Sequence, residues 1–461
     1  MLKFVDLFAG IGGIRKGLEM ALDEFAIKHQ CVFSSEINLK AQETYQLNYE
    51  ETPQGDIRLI DSLPEHDILL AGFPCQSFSY AGKQQGFADT RGTLFFEIER
   101  LLNAATSKPR LMLLENVRGF TTHDKGRTFA TVVKKLEDLG YGVTTCLLNS
   151  SNFGVPQNRV RIYLVCSLGH TPHLSIKSDL GAADSHKFKQ AILQGDLFST
   201  EVPHRCVADI LEPKVDEKYV CSPKFISQLS EAITPNGFDS LHGVRLIDHR
   251  GGNSIHSWDM GKNGHCSSTE KRLMDAIISN RRKKHFGADK DGKKLTLEQI
   301  QSFWDQPDLE NTLASLVSKG YLKQEDDKYN PICGNMSFEV FKFLDPSSIS
   351  ITVVSSDANR LGVVQDGIPR RITPRECARL QGFPDDFILH PNDTFAYHQL
   401  GNSVSVPVIS ALFRDLVVNG EQPFPPVMEN KARPPKHQNS GQKANAQKWV
   451  GALAASPCPT N

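Results

Sequence analysis

The sequence predicts an α/β fold, a parallel sheet covered by helices and interrupted by a long insert of different character. Three observations carry the prediction. Short apolar runs alternate with amphipathic stretches from Leu2 to about Ser167; the alternation is lost between about Leu168 and Val364, where Gly, Ser, Asn, Pro and His abound; regular character returns from Pro369 to Leu416. In a chain of 461 residues, long for one hydrophobic core, the alternation reads as βαβ units and the interruption as a separate module. The expected division is 1–170 plus 366–420 for the α/β domain, 171–365 for the insert, and 421–461 for a disordered tail rich in Lys, Gln and Asn.

Taken in order, LKFVDLF is the first strand, and IRKGLEMALDEF has the apolar spacing of a helix. CVFSSE and HDILLAG follow as strands, LFFEIERLLNAA as a helix, RLMLLEN as a strand, TFATVVKKLEDLG as a helix and VRIYLVC as a strand. Beyond the insert a helix begins near Thr373, which forms a capping-box pattern with Glu376 three residues later, and a second covers Val406–Leu416.

Composition narrows the function classes. With 39% hydrophobic and 23% charged residues the chain has an ordinary globular balance. No apolar run approaches the roughly 20 residues of a transmembrane helix, and MLKFVDLFAGIGG enters a strand without a secretory pattern, so a cytoplasmic protein with no membrane association is expected. Lys plus Arg is 52 against 53 Asp plus Glu, so any nucleic-acid surface must come from local charge. The ten cysteines include no C-x-x-C pair, which supports neither a zinc ribbon nor a disulfide framework; no metal is expected, and most of the thiols should be buried.

Four segments carry candidate chemistry. Asp6-Leu7-Phe8-Ala9-Gly10-Ile11-Gly12-Gly13 lies where the first strand gives way to a helix, and bulk at Gly10 or Gly12 would enter space that a nucleotide-like cofactor needs. A turn that merely packs helix on strand would use the same glycines, and Arg15 stands where G-x-G-x-x-G has its third small residue. Glu36 and Asp56, at the ends of the next runs, are placed for ribose hydroxyls and an adenine amino group, or for water. Cys75, in Gly72-Phe73-Pro74-Cys75-Gln76-Ser77-Phe78-Ser79, sits on a polar loop leaving a strand, unlike a core thiol. Glu115 ends another strand, where burial would raise its pKa and suit it to donating a proton; a solvated carboxylate is the alternative. Arg159 and Arg161, at i and i+2, share one strand face suited to an anionic or carbonyl oxygen, or form a surface basic pair.

In this order the segments resemble the C5-cytosine DNA methyltransferases, the bacterial modification methylases of restriction systems and Dcm-like enzymes. The resemblance extends to ArgGlyThrLeuPhePheGlu at 91–97, GluAsnVal at 115–117, GlnAsnArgValArgIleTyr at 157–163, ArgIleThrProArgGluCysAlaArgLeuGlnGlyPhePro at 371–384 and TyrHisGlnLeuGlyAsnSerValSerValPro at 397–407. It implies a Rossmann-like class I S-adenosyl-L-methionine-dependent methyltransferase domain with an inserted target-recognition domain. It further implies Cys75 as the nucleophile that adds to cytosine C6, Glu115 on N3 and the exocyclic amine, Arg161 on O2, and Arg159 as a positioning group. Phe8, Gly10, Gly12, Gly13, Glu36, Asp56, Ile57, Pro74, Asn402 and Ser403 would surround the cofactor. The target base would have to leave the duplex, with Ser79, Lys83 and Arg91 on phosphates around the gap. Double-stranded DNA, a companion restriction endonuclease acting on the same site, and a monomeric state are the partner expectations. An RNA C5 methyltransferase is the rival reading; its tRNA-directed members usually carry a ProCysGlnProPheThr-like sequence, which this chain lacks.

The insert adds a charge signal. Residues 245–294 hold 12 Lys plus Arg against 6 Asp plus Glu, a local charge of +6 in a chain of net −1. Arg281, Arg282, Lys283 and Lys284 are the expected phosphate contacts, although a cationic helix end would look the same. The helical runs near 295–304 and 309–322 are loosely similar to a winged-helix unit.

Overall fold

The computed structural model describes residues 1–74, 94–178, 206–233, 235–287, 292–332 and 338–426. They fall into two compact units: Met1–Ile210, Ser350–Ser355 and Cys377–Asn461 in one, Leu211–Ile349 and Ser356–Glu376 in the other. These boundaries differ from the expected 170 and 366. The amides of Ser175 and Ile176 donate to the Asp415 carboxylate at 2.7 and 3.2 Å, which keeps that stretch in the first unit. The strands around 361–371 pair within the sheet of the second.

The first unit opens with β1 (Leu2–Leu7), α1 (Gly13–Glu24), β2 (His29–Ser35), α2 (Leu39–Tyr49) and β3 (Ile68–Gly72). It continues through α3 (Leu94–Ala104), β4 (Leu111–Val117), α4 (Arg127–Asp138), β5 (Tyr141–Asn149) and β6 (Val160–Leu168). The strands form a sheet in the order β2-β1-β3-β4-β6-β5. Strands β1 to β4 pair in parallel, as expected, but β6 is antiparallel to both β4 and β5. The short link 150–159 cannot hold the crossover of a dozen or more residues that a parallel β5–β6 pair would need, so the strand runs back. Alternate residues feed opposite cores: Phe4, Leu70, Leu113 and Val165 on one face, Val5, Leu69, Met112 and Leu164 on the other.

The second unit contains α5 (Pro223–Ile233), β7 (Arg245–Leu246), β8 (Ser254–Ile255), α6 (Ser268–Asn280), β9 (Leu295–Thr296), α7 (Leu297–Gln301) and α8 (Leu309–Ser318). Strands β10 (Leu322–Glu325), β11 (Lys328–Pro331), β12 (Lys342–Phe343), β13 (Leu361–Gln365) and β14 (Ile368–Arg371) complete it. One sheet has the order β14-β13-β12-β7-β8, a second the order β10-β11-β9. The run α6–β9–α7–α8–β10–β11 is three helices closed by a hairpin, the winged-helix order, around Trp258, Leu273, Ile277, Leu313 and Tyr321. Capping boxes at Ser267/Glu270 and Thr296/Gln299 start α6 and α7.

The chain then forms α9 (Pro374–Leu380), α10 (Asp393–Asn402) and α11 (Val406–Val418). The capping box expected ahead of α9 is present, with the Thr373 amide 2.8 Å from Glu376 Oε2 and the Glu376 amide 3.1 Å from Thr373 Oγ1. By length and composition the stretch Asp393–Val418 is apolar enough to span a membrane, contrary to expectation. It is nevertheless two helices broken near Ser403, and most of it is buried. The expected tail is also corrected at its start: Glu421 pairs with His170 at 2.7 Å and accepts from the His173 amide at 2.7 Å, and Phe424 is buried in the core. Residues 427–461 lie outside the described residues.

Helix α11 covers one sheet face by lying directly on α1. A Cβ at Gly17 would fall 2.5 Å from Ile409 Cβ and 2.9 Å from the Val406 carbonyl oxygen, so glycine is what permits the crossing. Gly17→Ala should therefore lower stability by about 1–3 kcal/mol. In denaturant titrations its loss should combine non-additively with that of Ile409→Ala; strict additivity would show that the two sites do not press on each other.

Candidate active site

A cleft of about 1180 Å³ opens at the carboxyl ends of the parallel strands, the edge where α/β sheets bind ligands. Phe8, Gly10, Gly13, Glu36, Asp56, Ile57, Pro74, Glu115, Arg159, Arg161, Asn402 and Ser403 all line it, and all belong to the first unit. Gly12 does not.

The loop after β1 is built on left-handed backbone. Phe8 has φ +54, an uncommon conformation for a residue with a side chain, and Gly10 and Gly12 have φ +56 and +83. A Cβ at Gly10 would meet nothing within 4 Å, and its amide donates to Glu36 Oε2 at 2.8 Å. The other Glu36 oxygen accepts from the Asn38 amide at 2.7 Å, so this carboxylate ties the loop to the start of α2. At Gly12 a Cβ would strike the Tyr49 ring at 2.3 Å, and the Tyr49 hydroxyl donates to the Gly12 carbonyl at 2.8 Å. The expectation that bulk at Gly12 would enter the cofactor space is thus corrected: that side of the loop is occupied by α2. At Gly13 the near neighbour is Ser403 Oγ, 2.7 Å from an added Cβ, which brings the 403–404 segment onto the start of α1.

Sequence reading marked Arg15 only as a departure from the glycine pattern and missed Tyr49; together they explain the missing third glycine. The Arg15 guanidinium lies 4.0 Å above the Tyr49 ring, donates to the Tyr45 hydroxyl at 2.9 Å and pairs with Glu19 at 2.7 Å and Glu51 at 3.1 Å. It holds α1 to α2 with a buried cation. Ile37, 65% exposed and lining the cleft, was also missed and offers an apolar surface to a flat ring. Asp56 caps the turn Ile57–Leu59 and binds Arg58, whose hydrogen bond holds the carboxyl below the usual carboxylate range.

On the opposite side of the cleft, sheet register sets Gly72 of β3 beside Glu115 of β4, and Val117 beside Arg161 of β6. Arg161 Nε lies 3.2 Å from Glu115 Oε1. Burial raises the Glu115 pKa, with the charges of Arg161 and Arg159 opposing. The buried Arg159 donates to the Val353 carbonyl at 2.8 Å and to the Ser403 carbonyl, so it braces the walls. Asn116 Nδ2 donates to the Phe73 carbonyl at 2.9 Å and fixes the end of β3 just before Pro74. Cys75, which follows Pro74, lies outside the described residues, as do Ser79, Lys83 and Arg91. Every described cysteine is buried, as expected for most of the ten. Among the described residues no cluster of metal-binding side chains occurs.

A family model described as C-5 cytosine-specific DNA methylase matches residues 2–418. The chain belongs to this family. It is a DNA (cytosine-5-)-methyltransferase with a Rossmann-like fold. Among curated relatives, it is 62% identical over 418 residues to the Type II methyltransferase M.BanI of Aneurinibacillus aneurinilyticus, covering 91% of this chain and 96% of that protein. It is 59% identical over 417 residues to the Type II methyltransferase M.HgiCI of Herpetosiphon aurantiacus, covering 90% and 98%. Among solved structures, an Entamoeba histolytica methyltransferase, EhMeth, aligns with TM-score 0.50 at 17% identity over 92% of this chain and 99% of that one, a likeness of fold.

The methylase holds its separated segments together with buried amides. Gln157 donates to the Leu380 carbonyl at 2.7 Å and to Gln381 Oε1 at 3.1 Å, and accepts from the Val353 amide at 2.9 Å. Gln381 in turn donates to the Leu400 carbonyl at 2.8 Å. Both glutamines lie inside the motifs quoted above, which was the available signal.

The basic run of the second unit needs one correction. Arg281 is 6% exposed, and its guanidinium is committed to the carbonyls of Lys293 and Gly292 at 3.3 and 3.1 Å and to Asn330 at 2.9 Å, so it braces a turn instead of facing solvent. Arg282, Lys283 and Lys284 are exposed.

At the base of the glycine loop, Asp6 is 1% exposed with no hydrogen-bond partner for either carboxylate oxygen. Burial pushes its pKa up to about 8 against the pull of Arg15. An acid whose folded pKa is raised takes up a proton on folding, so it lowers stability as pH rises from about 4 toward 8. Asp6→Asn should flatten that part of the melting-temperature profile relative to the wild type; parallel profiles between pH 5 and 8 would show that Asp6 stays ionised.

Proposed function

We propose that this methylase transfers a methyl group from S-adenosyl-L-methionine to C5 of a flipped-out cytosine in a specific short duplex sequence. In this reading it works through a covalent Cys75–C6 adduct, and the modification protects host DNA from a companion restriction endonuclease. The observation that carries the reading is the pairing, in one cleft, of an open glycine loop with the ion pair of buried Glu115 and half-buried Arg161 beside the strand end that leads to Cys75.

The residues fit the cofactor. Gly10 leaves the cleft open, Glu36 stands at the strand end suited to ribose hydroxyls, Ile37 offers an apolar face, and Asn402 and Ser403 complete the wall. Bound there, S-adenosyl-L-methionine supplies an electrophilic methyl group. The protein's part is to make C5 nucleophilic. The Cys75 thiolate forms a bond to C6 while Glu115, its carboxyl favoured in the protonated form by burial, holds N3 and the exocyclic amine. Arg161 holds O2, and Arg159 keeps the strand and the 403 segment in place. Once C5 is methylated it loses its proton, and the sulfur–C6 bond breaks to restore the ring. These steps require a base outside the stack. The second unit would serve as target-recognition domain on double-stranded DNA, with the enzyme acting as a monomer in the cytoplasm. The relatives named Type II methyltransferases support the restriction-system setting.

Bisulfite sequencing of DNA from expressing cells should reveal C5 methylation in one sequence context; its absence there would sink the proposal. A duplex with 5-fluorocytosine at that position should become covalently attached, and peptide mapping should place the bond on Cys75. Cys75→Ala should abolish transfer and trapping, and adduct formation on any other cysteine would reassign the nucleophile. Glu115→Gln should lower kcat by about a hundredfold or more while leaving cofactor binding in calorimetry unchanged.

A further inference from the structure

Helix α2 is held to the first unit in an unusual way. A surface helix normally buries an apolar stripe, yet α2 leaves Leu39 and Leu47 70% and 48% exposed and buries Ala41, Thr44 and Tyr45. Its inward side chains make hydrogen bonds instead, and these run to two stretches that wall the cleft. The first is the glycine loop. The Glu36 carboxylate, which accepts the Gly10 and Asn38 amides, ties the loop to the start of α2, where Asn38 caps the helix by accepting the Lys40 and Ala41 amides at 2.9 and 3.1 Å. The Tyr49 hydroxyl ties the loop to the end of the same helix through the Gly12 carbonyl, which also accepts the Lys16 amide at 2.8 Å. The Tyr49 ring is itself seated against the Arg15 guanidinium at 4.0 Å and the Tyr45 ring at 4.6 Å.

The second stretch is 398–403. The buried Gln399 gives its amide group to α2: Thr44 Oγ1 donates to Gln399 Oε1 at 2.9 Å, and Gln399 Nε2 donates to the Lys40 carbonyl at 2.7 Å. Thr44 is fully buried, so neither partner can turn to water if the other is removed. The chain ahead of α10 is docked on the same helix. Asn48 and the backbone of Ile388 exchange two hydrogen bonds of 2.8 Å, and His390 lies 3.2 Å from Glu43. Phe8, Gly10 and Gly13 from the loop, and His398, Asn402 and Ser403 from the second stretch, line the cleft, whereas Thr44 and Tyr49 do not.

We infer that α2 is a strut that sets the spacing between the glycine loop and the 398–403 segment, with Tyr49 and Thr44 as positioning residues for the methyl donor. The inference rests on the S-adenosyl-L-methionine reading above and extends it to residues that do not line the cleft. The physical reason is the strain in the loop. Phe8, Gly10 and Gly12 all hold left-handed backbone, which is costly at Phe8, so the loop keeps this shape only while its surroundings oppose relaxation. A ligand that needs both stretches in place binds with an apparent affinity scaled by the fraction of molecules in which they are in place. One helix bonded to both keeps that fraction high, and freeing either end lowers it.

The test uses the full-length protein, with S-adenosyl-L-methionine binding read by calorimetry and methylation kinetics read on a duplex carrying the bisulfite-mapped site. Tyr49→Phe and Thr44→Val each remove one hydroxyl and keep the side chain's shape. Each should weaken S-adenosyl-L-methionine binding by about three- to tenfold and raise its KM alike, with kcat at saturating donor and the KM for DNA within about twofold of the wild type. Thr44→Ser, which keeps the hydroxyl, should retain wild-type affinity, and Leu47→Ala on the exposed face should leave it unchanged. Because either release frees the strut, the variant carrying both Tyr49→Phe and Thr44→Val should bind no more than about twofold more weakly than the weaker single variant. Losses that multiply would mean two independent contacts and overturn the inference. Unchanged donor affinity in both single variants overturns it as well, as does an equal rise in the KM for DNA or a matching loss in Leu47→Ala. Should Thr44→Val not fold, Gln399→Met removes the same hydrogen bond from its other partner and takes its place. A wild type that binds no S-adenosyl-L-methionine would overturn the cofactor reading, and the strut's role with it.

Discussion

Buried amide hydrogen bonding from one short stretch, 157–159, holds the first unit together. Gln157 and Arg159 reach segments that lie some 190 to 245 residues away in the sequence, and each contact is to a backbone carbonyl, a backbone amide or another buried amide. Backbone groups buried this way cannot turn to water, so removing a partner leaves them unsatisfied at a cost of about 1–3 kcal/mol each. The cleft depends on this arrangement because Ser403 and Asn402 line it only while the chain that carries them is held there. The shape of the cleft therefore rests on hydrogen bonds made within the protein itself.

Much of the first unit was legible because its two periodicities are strong. Alternation in strands and helical spacing in α1, α3 and α4 marked where each element lies. The direction of β6 was not marked, since a strand buried on both faces looks alike whichever way it runs; only the shortness of the link 150–159 carries that information. In the second unit the strands β7, β8, β9 and β12 are two residues each, too short to show any period.

The site divides similarly. Residues that meet the cleft directly, such as Gly10, Glu36 and Glu115, announced themselves by their positions at strand ends. Gly12 and Arg15 have roles set by Tyr49 on another element, and no local pattern connects them. Arg281 and Arg282 are adjacent and chemically identical, and what separates them is whether carbonyls at 292–293 and Asn330 close around the side chain. A run of like charges cannot reveal which member is enclosed.

The packing of α11 on α1 carries a consequence for how the protein is made. Part of one sheet face is covered by a helix that is translated after the entire second unit, so that part, and the α1 surface beneath the helix, stay uncovered through the synthesis of more than two hundred residues. At roughly 5–20 residues per second this delay lasts on the order of tens of seconds. Throughout it the nascent chain displays Phe4, Leu18, Leu113 and Val165 without their cover, a surface suited to chaperones and to premature association. Among the described residues α11 is the last helix to leave the ribosome, and a truncated or stalled chain lacking it would leave this core incomplete.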